Sequence, residues 1–119
     1  VTVTSSKAKA YHEGFTFHGD TLVAKQNGNH SGSQPAEKVL VIANGDYMSF
    51  AAMKKAEVDD SAVIRFYNAS DDDATLTFEF PMGKQSLWAV NLAEDVKEAV
   101  TNDCVTVPAK KIVTYKIQF

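Results

Sequence analysis

The chain reads as an all-β protein, a two-sheet antiparallel β-sandwich of about eight or nine short strands. Three observations predict this. Segments of four to eight residues alternate apolar with polar side chains and are rich in β-branched and aromatic types, as strands with one buried face must be. Polar clusters of Gly, Asn, Asp and Ser punctuate them at short intervals. Helical periodicity is nearly absent. A closed barrel would satisfy the same pattern. With 119 residues the chain is expected to form one domain, long enough to bury an ordinary core without disulfides or metals.

Val1 to Thr4 alternates and predicts an edge strand. Phe15 and Phe17 alternate with Thr16 and His18, and Gly19-Asp20 turns the chain into Thr21 to Lys25, a short hairpin. Asn27 to Pro35 is a polar loop. Lys38 to Ala43 is a compact apolar strand, and Asn44-Gly45-Asp46 carries the signature of a two-residue hairpin, with Tyr47 to Met53 returning from it. A charged turn, Lys54 to Asp60, follows. Ala62 to Tyr67 is then the central strand, with Ala62, Ile64 and Phe66 on one face and Val63, Arg65 and Tyr67 on the other.

Asn68 to Ser70 opens an acidic turn at Asp71, Asp72 and Asp73. Ala74, Leu76, Phe78 and Phe80 face inward along the next strand, against Thr75, Thr77 and Glu79 outward. Pro81 to Lys84 turns, and Leu87 to Leu92 places Trp88, Val90 and Leu92 on one face. Leu92, Val96 and Val100 recur every fourth residue, which fits a short helix over Ala93 to Val100. So short a helix is marginal alone, and an irregular excursion is preferred there. Val105 and Val107 lead to Pro108, and the chain closes with Val113, Tyr115, Ile117 and Phe119 alternating against Thr114, Lys116 and Gln118. The expected core is Phe17, Leu40, Ile42, Phe50, Ile64, Phe66, Leu76, Phe78, Trp88, Val90, Tyr115 and Ile117. Val39, Val41 and Leu87 are left as candidates for an exposed apolar docking face.

Four pieces in order carry a family resemblance. Phe50 to Glu57 (FAAMKKAE) followed by Val63 to Asn68 (VIRFYN), then Val90 to Glu94 (VNLAE), then Pro108 to Ile117, are similar to the C-terminal region of glycoside hydrolase family 38, the α-mannosidases. The resemblance spans roughly residues 38 to 119. Lys111 stands where the family's last strand usually has a glutamate. The resemblance implies a non-catalytic β-sandwich that packs on an upstream catalytic domain of the same chain. It also implies that the nucleophile and a zinc ion belong to that upstream part, whose substrate would be an α-mannoside. No catalytic residue is carried over to this chain. The first residue, Val1, is not methionine, and the chain is expected to be excised from the C-terminus of a larger glycosidase.

Composition excludes other classes. A net charge of −3 gives no electrostatic reason to bind nucleic acid or an anionic membrane. No apolar run approaches the length of a membrane span, and no signal-peptide pattern is expected at the start of this sequence. Cys104 is the single cysteine, which favours a reducing compartment, hence a cytoplasmic location. Asn29-His30-Ser31 and Asn68-Ala69-Ser70 fit the glycosylation acceptor pattern, a motif short enough to recur by chance.

Glycoside hydrolysis needs two carboxyl groups about 5–9.5 Å apart. Asp59, Asp60 and Asp71 to Asp73 supply carboxylates, but in turns, where they are expected to be solvated. His12, His18 and His30 are scattered, so no metal site is assigned. Asn68, Asp71 and Asp73 have calcium-type oxygens without the glycine and distal glutamate of a dedicated loop. Cys104 reads as a small half-buried hydrophobe, and Trp88 as core. The residues left as substrate-binding candidates are Arg65 and Tyr67. Arg65 is expected to pair with Glu57 or Glu79, or else to reach a neighbouring domain. The competing function is a free-standing immunoglobulin-like module for carbohydrate binding or surface adhesion.

Overall fold

Alternation of apolar and polar residues becomes strand pairing in the computed structural model, which describes residues 9–10, 13–14, 28, 31–33 and 38–119. The strands are β1 (Ile42–Asn44), β2 (Met48–Lys55), β3 (Ala62–Asn68), β4 (Ala74–Glu79), β5 (Ser86–Val90), β6 (Val96–Ala99), β7 (Cys104–Val107) and β8 (Ile112–Gln118). They form a three-stranded sheet, β1-β4-β7, and a five-stranded sheet, β2-β3-β8-β5-β6, every pair antiparallel. Two separate sheets make this a sandwich and not a closed barrel. The expected N-terminal edge strand, the Phe15–Lys25 hairpin, Phe17, Asn29 and all three histidines lie outside the described residues.

Between the sheets, Ile64 and Phe66 of β3 and Tyr115 and Ile117 of β8 meet Leu76 and Phe78 of β4 and Val107 of β7. The aromatic rings pack edge to face, Phe66 on Phe78 at 6.1 Å and Phe78 on Tyr115 at 5.2 Å between centroids. That geometry sets the positive ring edge against the negative face. Ala74, Leu76 and Phe78 face in, with Phe80 half-buried beside them, as their alternation requires.

Several expectations are corrected. Asn44-Gly45-Asp46 does not close a hairpin, because β1 and β2 belong to different sheets. The turn carries the chain across the sandwich, and it needs glycine for space. A Cβ on Gly45 would lie 2.6 Å from Met48 Cγ and 2.9 Å from the Thr75 carbonyl oxygen. On β5 the inward residues are Leu87 and Ala89, opposite Ile117 and Tyr115. Trp88 therefore leaves the core for the outer face, and Leu87 is buried, no part of a docking surface. Both faces of this strand are apolar, so alternation alone could not choose between them. Val90 is buried, but on the outer face with Trp88.

Ile42 and Phe50 are partly exposed because β1 and β2 are sheet edges, though the Phe50 ring still touches Phe66. Leu40 precedes β1 and is half-buried. The helix considered for Ala93 to Val100 does not form. An irregular loop occupies its start and β6 the rest. Cys104 is exposed, on the edge strand β7, and not half-buried.

Candidate functional site

Among the described strands, only two connections join neighbours of one sheet, the β2–β3 turn and the β5–β6 loop. Both fold onto the outer face of the five-stranded sheet. Register places Ala52, Arg65, Thr114 and Val90 in one row across that face, and Lys54, Val63, Lys116 and Trp88 in the next. Alternation would leave these side chains in water. Yet Val63, Thr114 and Lys116 are 3%, 5% and 6% exposed.

What covers them is a pair of ionic clasps. In the β2–β3 turn, Asp59 Oδ2 accepts from Lys116 Nζ at 2.6 Å and its Oδ1 accepts from the Ser61 amide at 2.9 Å. The ammonium and the backbone donor both favour the ionised carboxyl, which pulls Asp59 down to about 2. The turn carboxylate Asp59, expected to be simply solvated, is thus held by Lys116. In the β5–β6 loop, Glu94 sits at φ 68° and reaches across the sheet. Its Oε1 lies 2.8 Å from Lys54 Nζ, and its Oε2 accepts from the Glu57 amide at 2.9 Å. Lys54 first, then that amide, hold the Glu94 pKa below its ordinary value. Asn91 shapes the loop from inside, its Oδ1 accepting from the amides of Ala93 and Asp95. Two sequence pieces far apart in the chain, K-K-A-E and V-N-L-x-E, therefore meet through Lys54 and Glu94.

Arg65 lies between the clasps. Its Nε donates to Thr114 Oγ1 at 3.1 Å. No described carboxylate pairs with it, which corrects the expected partners. Glu57 turns to Lys54 instead, and Glu79 is exposed on β4 in the other sheet. Beside Arg65 is a hollow of about 260 Å³ formed with Ala52, Lys54, Val63 and Leu92. Tyr67, the other candidate, is half-buried opposite Ser49 and Ile112 and is engaged in a contact of its own.

At the far end of β3, Asn68 is fully buried as a polar plug. Its Nδ2 donates to the carbonyls of Asp72, Val107 and Pro108, and its Oδ1 accepts from the Ser70 amide and hydroxyl. The amide nitrogen that glycosylation would modify is thus sealed inside the fold, and its oxygen is occupied. Asp71 pairs with Lys110 at 3.1 Å, and Asp73 Oδ1 accepts from the Ala109 amide. Among the described residues no three His, Cys, Asp or Glu side chains converge on a metal position. Among the described residues, the zinc implied by the family resemblance has no fitting ligand set.

Two further hollows lie on the surface of the described residues. One of about 490 Å³ opens between the sheets beside β6 and β7. It is lined by Ala89, Val100, Val105, Val113 and Tyr115, with Glu98 as the single carboxylate. Burial first, then the nearby Glu98, pushes the Tyr115 hydroxyl up to about 12. The other, about 360 Å³, lies where the β1–β2 and β3–β4 crossovers meet and gathers Asp46, Tyr47, Asp72 and Asp73. Sequence reading missed this grouping, because it treated the two turns as unrelated hairpin tips. All three carboxylates there are exposed.

An antiparallel β-sandwich closed by ionic clasps, with no metal cage among its described residues, is the class of protein that fold and site define. Residues 48–115, more than half of the chain, match the model of the glycosyl hydrolases family 38 C-terminal beta sandwich domain, and the chain belongs to that family. The match takes in the K-K-A-E, R-F-Y-N and V-N-L-x-E pieces. No curated protein and no solved structure matches the chain.

Proposed function

We propose that this chain is the non-catalytic C-terminal sandwich of an α-mannosidase-like glycosidase, packing on and supporting a catalytic domain that precedes it in the same polypeptide. The family assignment supports the setting. The observation that carries the non-catalytic role is the state of the carboxylates. Glu94 and Asp103 are the described acidic residues most withdrawn from solvent, and each is held by a lysine, Lys54 and Lys84. Asp59 and Glu94 are both shifted downward. A glycosidase general acid needs the opposite shift, to stay protonated near neutral pH. These carboxylates serve as fasteners.

The test is hydrolysis of an aryl α-mannoside by the 119-residue chain with zinc added. No turnover is expected. Measurable turnover that follows the purified chain would overturn the reading. A free-standing carbohydrate-binding module is the second reading, favoured by Tyr47, exposed beside Asp72 and Asp73. Flat rings next to hydrogen-bonding carboxylates suit a sugar face. Binding of mannose oligosaccharides by the isolated chain, lost in Tyr47→Ala, would favour it over the first.

A further inference from the structure

We infer that Arg65 is the docking point for a carboxylate side chain of the preceding catalytic domain, received in the hollow between Ala52, Val63 and Leu92. The inference rests on the reading that the sandwich packs on such a domain, and it names the place. Three cations rise from neighbouring positions on the outer face of the five-stranded sheet, and they are treated differently. Lys54 is paired with Glu57 and Glu94, and Lys116 with Asp59. Arg65, in the same central strand as the buried Val63, has among the described residues only the Thr114 hydroxyl on its Nε.

A guanidinium presents five N–H donors in a planar fork, and a half-buried one is poorly compensated by a single neutral acceptor. None of the described residues takes the other four donors, which can serve a group from outside. The fork matches a carboxylate in two parallel hydrogen bonds. The hollow beside it supplies the matching shape, with apolar walls for the methylene stem and a cationic end for the head. Its outer wall, Leu92, is 72% exposed, an apolar residue held outward at the tip of the Glu94-clasped loop. The clasps thus fix both sides of the hollow before any partner arrives. Pre-ordering of this kind lowers the entropy lost on docking.

The test uses the longer polypeptide that carries this sandwich, with a protease site introduced ahead of residue 1. After cleavage, retention of the sandwich on the upstream part is measured by size exclusion and by titration of the separated pieces at several salt concentrations. Wild type is expected to remain bound, Arg65→Met to bind about 10-fold more weakly or worse with a flatter salt dependence, and Arg65→Lys to fall between. Thermal melts of the isolated variants, expected to stay close to wild type because Arg65 makes one hydrogen bond, separate docking from folding. Should Arg65→Met fail to fold, Arg65→Lys carries the comparison. Separation of the wild-type pieces would overturn the packing reading itself. Undiminished retention of a folded Arg65→Met would leave packing intact and overturn Arg65 as its contact. Arg65-dependent self-association of the isolated chain, with retention unaffected, would overturn the occupant in favour of a second copy.

Discussion

The two faces of the five-stranded sheet are buried by different means. The inner face is covered by another sheet. Ile64, Phe66, Tyr115 and Ile117 meet Leu76 and Phe78, and the stabilising force is removal of apolar area from water together with ring packing. The outer face is covered by its own two hairpin loops, and what they cover includes a lysine. Lys116 is nearly as buried as Phe66, although one follows from hydrophobicity and the other from an ion pair. The lesson is that a charged residue on a strand's polar side reports a direction, not an exposure. Its solvent access depends on loops whose course the alternation does not encode.

Substitutions on the two faces should separate in size and in pH dependence. The largest effect is expected at Phe78, whose ring touches Phe66, Phe80 and Tyr115. Phe78→Ala should cost about 3–5 kcal/mol in a urea melt, a large share of the roughly 5–15 kcal/mol available to a domain. A loss well under 1 kcal/mol would contradict the inner-face packing.

Asn68 comes next. Asn68→Ala strands the carbonyls of Asp72, Val107 and Pro108 around an empty site. About 2–4 kcal/mol should be lost by the same assay. A near-neutral result would mean that water replaces the side chain.

A third effect is visible only in acid. Asp59 is depressed from 3.8 to about 2, so its contribution is full above the unfolded value and disappears as pH falls through the folded one. Wild type should therefore lose stability between pH 3.8 and about 2, and Lys116→Met should lose less over that window. Equal slopes in the two proteins would remove the Asp59 clasp from the account. The smallest effect belongs to the other clasp. Glu94→Gln weakens the hold on Lys54 and should speed hydrogen exchange at the Glu57 amide, with little change in the melt. Unaltered exchange would show that the loop is held without the charge.

How far the sequence could be read follows from the same contrast. Strands with one polar and one apolar face, β4 and β8, were legible because only one orientation buries their large side chains. The inward set Ala74, Leu76 and Phe78 stands as expected. β5 was not legible, since Leu87 and Trp88 compete for the interior and only pairing with β8 decides between them. Asn44-Gly45-Asp46 has the local chemistry of a tight turn and makes one, with Met48 N–H donating to the Gly45 carbonyl. Whether the chain then pairs with itself or crosses to the other sheet is a tertiary choice. For the candidate site, Arg65 stood out as a charge inside a central strand, but its lack of a carboxylate partner among the described residues depends on where Glu57 turns. The Lys54–Glu94 contact joins residues whose separation in the chain gives no periodic signal.

The central claim of the proposal is that the clasping carboxylates Asp59 and Glu94 hold the sandwich closed and do not donate protons to a substrate. Titration of the Asp59 and Glu94 side-chain carboxyls by carbon-detected NMR tests it most directly. The account predicts a midpoint of about 2 for Asp59 and one below the ordinary 4.5 for Glu94. A midpoint for either carboxyl raised toward neutral pH would contradict it.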